Sequence, residues 1–399
     1  MFENNNEKNN TSNNEVRQKV DAVARIKVIG VGGGGNNTIH SMIREGIEGV
    51  EFIVANTDEQ VLNSTIANTI LPLGRSVKGL GAGANPEEGR KAALESENEI
   101  KETIKGADMV IIAAGMGGGT GTGAAPIIAK IAKDMGALTI GIVTTPFSFE
   151  GTQRSKNAAE GLENIRAACD SLIVVSNDKL LEQFGGISLK DSFIYADKIL
   201  KQTVRTITDL IAIPALINLD FADVTTVMKD KGTALIGIGR ATGDDRASKA
   251  AIHAISSPIL DASINGASHA IINISGGDIT LAEASKAVDT IKQAANSDLN
   301  IIFGVSIVES LGKDIQVSVI ATGLVENKEL TSEEILKEAS NAVETMNIDF
   351  ENDKTRELLM SDPLPEEEKL QIDDEIELQN SPWDSDDDDD DELPAFLRK

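Results

Sequence analysis

Short apolar, β-branched runs alternate with stretches of helical period through the first half of the chain. Residues 26–29, 52–55, 110–114, 138–143 and 171–175 read as strands, with helical segments between them. Such alternation predicts a mostly parallel sheet covered on both faces. Ligands in folds of this kind bind outside the carboxyl ends of the strands. From Asp191 to Ile213 apolar residues recur at Phe193, Ala196, Leu200, Val204, Ile207 and Ile211, a helical period that stops before Pro214. Taken alone, this is a long surface helix. Beyond it, Ala234–Thr242, His269–Ser275, Ile301–Ser310 and Ile315–Thr322 read as strands, and Ser248–Ile255 and Leu281–Ser297 as helices. A second α/β or α+β domain with a small sheet of its own is expected.

Past Gly323 the pattern dissolves. Thr331–Met346 can form a transient helix, but as far as Asp391 the chain lacks the apolar surface to stay ordered. The Asp386–Asp391 run reads as a solvated spacer, and the apolar-basic tip Glu392–Lys399 breaks it.

Composition sharpens this picture. At 399 residues and 41% apolar content the chain exceeds one typical core. Only 3% is aromatic, so Ile, Val, Leu and Ala must build the interior. The net charge of −27 argues against nucleic acid or acidic lipid as direct partners. From Leu324 onward there are about 26 acidic and about 7 basic residues, so the folded part is only mildly acidic. The single cysteine, Cys169, excludes an intrachain disulfide and reads as a helix-packing residue in a reducing compartment. His40, His253 and His269 have no metal-ligand spacing. No apolar stretch reaches the ~18 residues of a membrane span. The Asn-rich start, Met1–Asn14, lacks a signal peptide's apolar core and reads as a disordered leader.

Two strand-to-helix junctions are nearly free of side chains. Residues 115–126 read Gly-Met-Gly-Gly-Gly-Thr-Gly-Thr-Gly-Ala-Ala-Pro, after the apolar run Met109–Ala114 and before a helical stretch from Ile127. A ligand can reach such a backbone, and successive N–H groups at a helix start favour an anion, phosphate above all. Thr120 and Thr122 add hydroxyl donors, and no lysine follows, which excludes a Walker A loop. Upstream, Arg25–Ile29 runs into Gly30-Val31-Gly32-Gly33-Gly34-Gly35-Asn36-Asn37. Gly30, Gly32 and Gly35 satisfy G-x-G-x-x-G and Asp58 ends the next strand, so an NAD-dependent oxidoreductase is the competing reading. That reading leaves Gly117–Gly123 unused and finds no paired residues for hydride chemistry. A third glycine-rich segment, Gly79–Pro86, lies between the two loops.

These loops resemble the tubulin/FtsZ superfamily, whose signature is Gly-Gly-Gly-Thr-Gly-Thr/Ser-Gly, and within it the bacterial cell-division family. Thr144–Gly151 (TTPFSFEG), Ser176–Leu180 (SNDKL), Asn218–Asp223 (NLDFAD) and the tip Leu393–Arg398 match as well. The resemblance implies an α/β fold: a Rossmann-like parallel-sheet GTPase domain, a long central helix, a smaller α/β C-terminal domain with a mixed sheet, and a disordered acidic tail. It divides the chain into a leader (1–24), a GTP-binding domain (25–190), the central helix (191–213), a second domain with the catalytic loop (214–325), an acidic linker (326–390) and a partner-binding peptide (391–399).

It also implies roles. The backbone of Gly33, Gly34, Gly35, Asn36 and Asn37 holds the α- and β-phosphates of GTP or GDP, with Gly119, Thr120 and Gly121 opposite. Ala82, Gly83 and Ala84 close over the γ-phosphate, and Mg²⁺ with backbone dipoles balances the charge. Glu150 and Arg154 contact ribose and phosphate, although residues four apart at a helix start are by themselves an ordinary ion pair. Asn177 and Asp197 read guanine, whose N1–H and N2–H₂ a carboxylate can accept. Asp220 and Asp223, supported by Asn218, polarise the attacking water in the next subunit; on spacing alone they are helix-start capping residues. The partners implied are a head-to-tail homopolymer forming the cytokinetic ring at mid-cell in the cytoplasm, and division proteins and membrane tethers such as FtsA on Leu393–Arg398. Neither nucleic acid nor direct membrane insertion is expected. A filament scaffold that binds nucleotide without hydrolysing it would lack Asp220 or Asp223, and both are present.

Overall fold

The computed structural model describes residues 24–324, apart from 48, 75–78, 184–188, 213–216, 218, 257–263 and 296–297. The leader, the acidic linker, the Asp386–Asp391 run, the tip Leu393–Arg398 and Asn218 lie outside the described residues.

The elements follow in the order β1 (Ile26–Val31), α1 (Gly32–Arg44), β2 (Val50–Asn56), α2 (Glu59–Asn63), β3 (Thr69–Pro72), α3 (Pro86–Glu95), α4 (Glu97–Ile104), β4 (Met109–Gly115), α5 (Thr120–Asp134), β5 (Leu138–Thr145), α6 (Thr152–Ala168), β6 (Ser171–Ser176), α7 (Asn177–Gln183) and α8 (Leu189–Ala212). Then come α9 (Phe221–Met228), β7 (Gly232–Ala241), α10 (Arg246–Ile255), β8 (His269–Gly276), α11 (Leu281–Ala295), β9 (Asn300–Ile307) and β10 (Ile315–Thr322). The strands lie in the order β3-β2-β1-β4-β5-β6-β7-β10-β8-β9. β1 is flanked by β2 and β4, both parallel to it, with Val31 opposite Ala55 on one side and Ala114 on the other. Crossovers from β1 and β4 therefore leave in opposite directions, and a crevice opens at their carboxyl ends. Both glycine loops begin there.

Successive residues of β1, Val28 and Ile29, are each fully buried, because helices cover both faces of the sheet. On one face Ile39 and Met42 of α1, Leu200, Val204 and Ile207 of α8, and Val224 and Val227 of α9 pack on Val28, Ile111 and Ile140. Across the sheet, Ala92, Ile100, Ile128 and Ile165 from α3 to α6 pack on Ile29, Ile112 and Val143. Burying each Ile side chain contributes roughly 1.5–3 kcal/mol, so this double layer holds the loops on a rigid rim.

The helix α8 is the central helix that the resemblance implies rather than the surface helix that its period alone suggests: besides Ala196, Leu200, Val204 and Ile207 it buries Ser192, Lys201, Thr203 and Thr208, so it is covered on more than one stripe. One expectation changes. The C-terminal strands do not form a separate sheet. Ser171–Ile173 pair in parallel with Gly232–Ala234, which continues one sheet into β7, after which β10 joins β7 and β8 antiparallel. The close approach of α10 explains the glycines of β7. A Cβ on Gly237 or Gly239 would meet Ala254 O at 1.9 Å or Ala250 O at 2.0 Å. The edge strand β3, unforeseen in the sequence, has a buried Leu71 beside an exposed Ile70.

Candidate functional site

Helices α1 and α5 start at the crevice with no side-chain cap and no acidic residue in the first turn. Their leading N–H groups are therefore left for an outside acceptor. The two loops touch: a Cβ on Gly32, whose φ is +72°, would lie 2.9 Å from Gly121 N. Gly35 is glycine for packing, since a Cβ would meet Ala113 O at 2.2 Å. Gly33 and Gly118 differ, because a Cβ on either would meet nothing within 4 Å and neither has a left-handed backbone. Nothing in the protein's own packing requires a glycine there, which fits close approach by an external group. Asn36 is fully buried. With its amide turned to suit its neighbours, it donates to Gly30 O (2.8 Å) and Gly32 O (2.9 Å) and accepts from Asn56 Nδ2 (2.9 Å). Its side chain thus holds the turn, leaving the exposed Gly33, Gly34 and Asn37 on the open side.

The third glycine segment closes the rim. A Cβ on Gly119 would lie 2.7 Å from Ala82 Cβ, and Thr57 Oγ1 meets Thr120 Oγ1 at 2.6 Å. Ala82 is buried, while Gly83 and Ala84 are exposed with positive φ (55° and 59°). Asn157 of α6, which sequence reasoning missed, donates to Ala84 O at 3.5 Å and Gly117 O at 3.4 Å. Its neighbour Arg154 backs Gly117, whose Cβ would lie 2.9 Å from Arg154 O. Arg154 also pairs with Glu150, whose other oxygen accepts from Phe147 N–H at 3.0 Å. The ion pair is real; Glu150 is its largely buried member and Arg154 the exposed one.

Asn177 and Asp197 belong to segments joined by the small core of Val175, Leu180, Ala196 and Ile199. The Asn177 side-chain oxygen is buried and without a hydrogen-bond partner among the described residues. A buried orphan of this kind costs about 1–3 kcal/mol unless a ligand supplies the partner. Burial pushes the Asp197 carboxyl up to about 6, with Lys201 pulling the other way. Lys201 itself is paired with Glu45 at the end of α1. One turn before Asp197, Phe193 exposes part of its ring, held edge-on by Phe147 at 5.2 Å. An amide, a carboxylate and an aromatic face are the groups that recognise a planar, donor-bearing base. Asp58 caps α2, one of its oxygens accepting from both Gln60 N and Val61 N.

Asp220 and Asp223 are not brought to this rim. They form a reciprocal cap at the start of α9: Asp223 N–H donates to Asp220 Oδ1 (2.7 Å) and Asp220 N–H to Asp223 Oδ2 (3.2 Å). From Ile199 in the base-side cluster the preceding helix α8 runs on to Ala212, about 20 Å at 1.5 Å per residue. The far end of α9 rests at the amino end of β6, where Ser171 Oγ donates to Met228 O (2.5 Å) and Lys133 bridges Asp170 (3.1 Å) and Asp230 (2.7 Å). Within one chain the acid pair and the glycine loops are separate. Cys169 is buried and its thiol pushed up to about 12, which makes it inert.

Comparison with known proteins agrees with this geometry. The GTPase domain of the Tubulin/FtsZ family matches residues 25–185, and the C-terminal domain of the FtsZ family matches residues 232–325. The cell division protein FtsZ of Mycoplasmopsis pulmonis (strain UAB CTIP) is 61% identical over 378 residues, 94% of this chain and 97% of that protein. An FtsZ dimer structure from M. jannaschii superposes with TM-score 0.71 at 45% identity, covering 75% of this chain and 88% of that one. The GTPγS-bound CetZ2 protofilament of Haloferax volcanii shares the fold, with TM-score 0.65 at 20% identity over 81% of this chain and 99% of that one. With a nucleotide-type crevice at the β1/β4 switch point and both domain families matched in order, the chain belongs to the FtsZ family of tubulin-like GTPases, which act in cell division.

Proposed function

We infer that this GTPase hydrolyses GTP only where two copies meet head to tail, and that the resulting filament builds the division ring. The observation that carries this reading is the split of the machinery within one chain. Uncapped helix starts and open glycines occupy one rim, and the acid pair lies elsewhere. A contact that joins one copy's rim to the next copy's Asp220 and Asp223 is heterologous and non-closing, so it propagates as a filament.

In this reading the backbone N–H groups of Gly33–Asn37 and of Gly119–Gly121 hold the phosphates, with Ala82–Ala84 over the γ-phosphate. The loops 30–37, 79–86 and 115–123 contain no Lys or Arg. Mg²⁺ would therefore supply the positive charge that these loops lack and would neutralise charge on the phosphates they hold. The backbone of the glycine loops orients the triphosphate. Asn177 and Asp197 select guanine, Glu150 and Arg154 hold the ribose side, and the partner copy's acid pair orients the water. The tip Leu393–Arg398 docks division proteins and membrane tethers such as FtsA, in the cytoplasm at the division site.

The test is Mg²⁺-dependent GTP hydrolysis per subunit across a wide range of protein concentration. A specific rate that is negligible below a threshold and rises above it is expected. A rate independent of concentration would refute the shared site.

A further inference from the structure

Asp178 follows Asn177 at the start of α7, and its carboxylate accepts two hydrogen bonds from one residue thirty positions earlier. Ser148 N–H donates at 2.8 Å and Ser148 Oγ at 2.5 Å. Bonds to an ionised carboxylate are shorter and roughly twice as strong as neutral ones, and two on a single carboxylate also fix direction. Ser148 opens the turn Ser148–Glu150, which Glu150 closes on the Phe147 N–H (3.0 Å). Phe147 stacks on Phe149 (5.0 Å between centroids) and meets Phe193 edge-on (5.2 Å). One carboxylate therefore ties the start of α7 to the segment that carries the Glu150–Arg154 pair and supports the Phe193 ring.

Asn177 needs such a tie. Its buried amide oxygen has no partner among the described residues, so no hydrogen bond to that oxygen fixes its aim, and the next residue pins its backbone. We propose that Asp178 is a positioning residue for base selection: its clamp on Ser148 holds the Asn177 amide in register with the Phe193 ring and the Glu150–Arg154 pair. This rests on the reading of Asn177 as a guanine contact. Discrimination by hydrogen bonding depends on donor and acceptor being held in place, since a misaimed amide leaves buried polar groups unpaired. The clamp acts on selectivity between bases more than on grip of the phosphates, which the glycine loops provide.

The experiment measures equilibrium affinity of the full chain for GTP and ATP by competition against a fluorescent GTP analogue, for Asp178→Ala, Asp178→Asn, Ser148→Ala and Asn177→Ala. Asp178→Ala is expected to lower the preference for GTP over ATP by about tenfold, the scale of one lost hydrogen bond to a charged group. Asp178→Asn should retain it, because the carboxamide oxygen still accepts from Ser148 N–H and its NH₂ can donate to the hydroxyl. Ser148→Ala, at an exposed position that folding tolerates, should fall between. Equal loss of GTP and ATP affinity in Asp178→Ala, or no change in the ratio, would overturn the proposal. Asn177→Ala separates the two levels. If it collapses the preference while Asp178→Ala does not, only the clamp fails; if it leaves the preference intact, the guanine-contact reading fails and the clamp with it.

Discussion

Replacing Asp197 by Asn should make the nucleotide-free protein more stable and its hold on GTP weaker. The side chain is half-buried on α8, and burial raises its carboxyl from an ordinary 3.8 to about 6, against the pull of Lys201. Each tenfold in a protonation equilibrium is ~1.36 kcal/mol, so keeping this carboxylate charged at neutral pH costs about 3 kcal/mol. The sign follows from linkage. Between about pH 4 and 6 the folded state binds the proton and the unfolded state does not, so stability falls as pH rises through that window and levels off above it. The amide has no such cost, and Lys201 keeps Glu45 as a partner. At pH 7 the variant should melt a few degrees higher without nucleotide, a gain that shrinks toward zero near pH 4. GTP binding should weaken at least tenfold, because an amide NH₂ turned toward guanine's N1–H and N2–H₂ meets donor with donor. Scanning calorimetry at pH 4, 5, 6 and 7, with isothermal titration of GTP at pH 7, reads both effects. An unchanged or lower melting temperature at pH 7 would refute the burial argument, and unchanged GTP affinity would remove Asp197 from the base site.

Three further outcomes follow from the same geometry. Gly33→Ala and Gly118→Ala, whose Cβ meets open space, should leave the apo melting temperature within a degree or two and weaken GTP binding at least tenfold; Gly123→Ala, with a Cβ 1.9 Å from Pro86 O, should destabilise by about 3 kcal/mol in urea titration, and equal behaviour of all three would sink the distinction. Asp223→Ala should cost only about 1 kcal/mol as a lost cap and leave GTP affinity intact, while hydrolysis above the assembly threshold drops on the order of 100-fold; a normal rate would make the pair capping residues and nothing more. Lys133→Met leaves the buried Asp170 without its cation and should destabilise by about 3 kcal/mol, with Lys133→Met/Asp170→Asn recovering part of that in chemical denaturation; simple additivity would deny the coupling.

Much of this fold was written as local pattern. The strands β1, β2, β4, β5 and β6 are apolar on both faces because helices cover both, so each appears as a continuous run that ends at a glycine loop, an Asn or a turn. β3 escaped because an edge strand of four residues buries chiefly Leu71 and exposes Ile70, which leaves no period to detect. Continuity of the sheet escaped for another reason. The β6–β7 join is three residue pairs long and is set by Asp170 O accepting from Gly232 N and Ser171 Oγ donating to Met228 O, contacts across some sixty residues that no window spans. In the site the glycines were legible as absences of side chain, but their two kinds were not. Gly35 and Gly123 make room for the chain's own backbone, whereas Gly33 and Gly118 face open space. Asn157 went unnoticed, Asp178 stood out only within Ser176–Leu180 and Phe193 only as an apolar position of a helix, because the contacts of each are with partners distant in sequence.

The acid pair shows how a bland and a functional reading can both hold. Spacing of three at a helix start predicts a reciprocal cap, and the structure has one. That cap uses Asp220 Oδ1 and Asp223 Oδ2, so the second oxygen of each carboxylate keeps its lone pairs available, with no hydrogen bond to other described residues. A pair of carboxylates anchored by one oxygen each is already oriented. A water presented by another copy would meet two fixed acceptors, with little rotamer freedom left to lose. Capping is thus the device that would aim the acids, and the separation of the acids from the glycine loops within one chain would then keep an isolated subunit from spending its nucleotide.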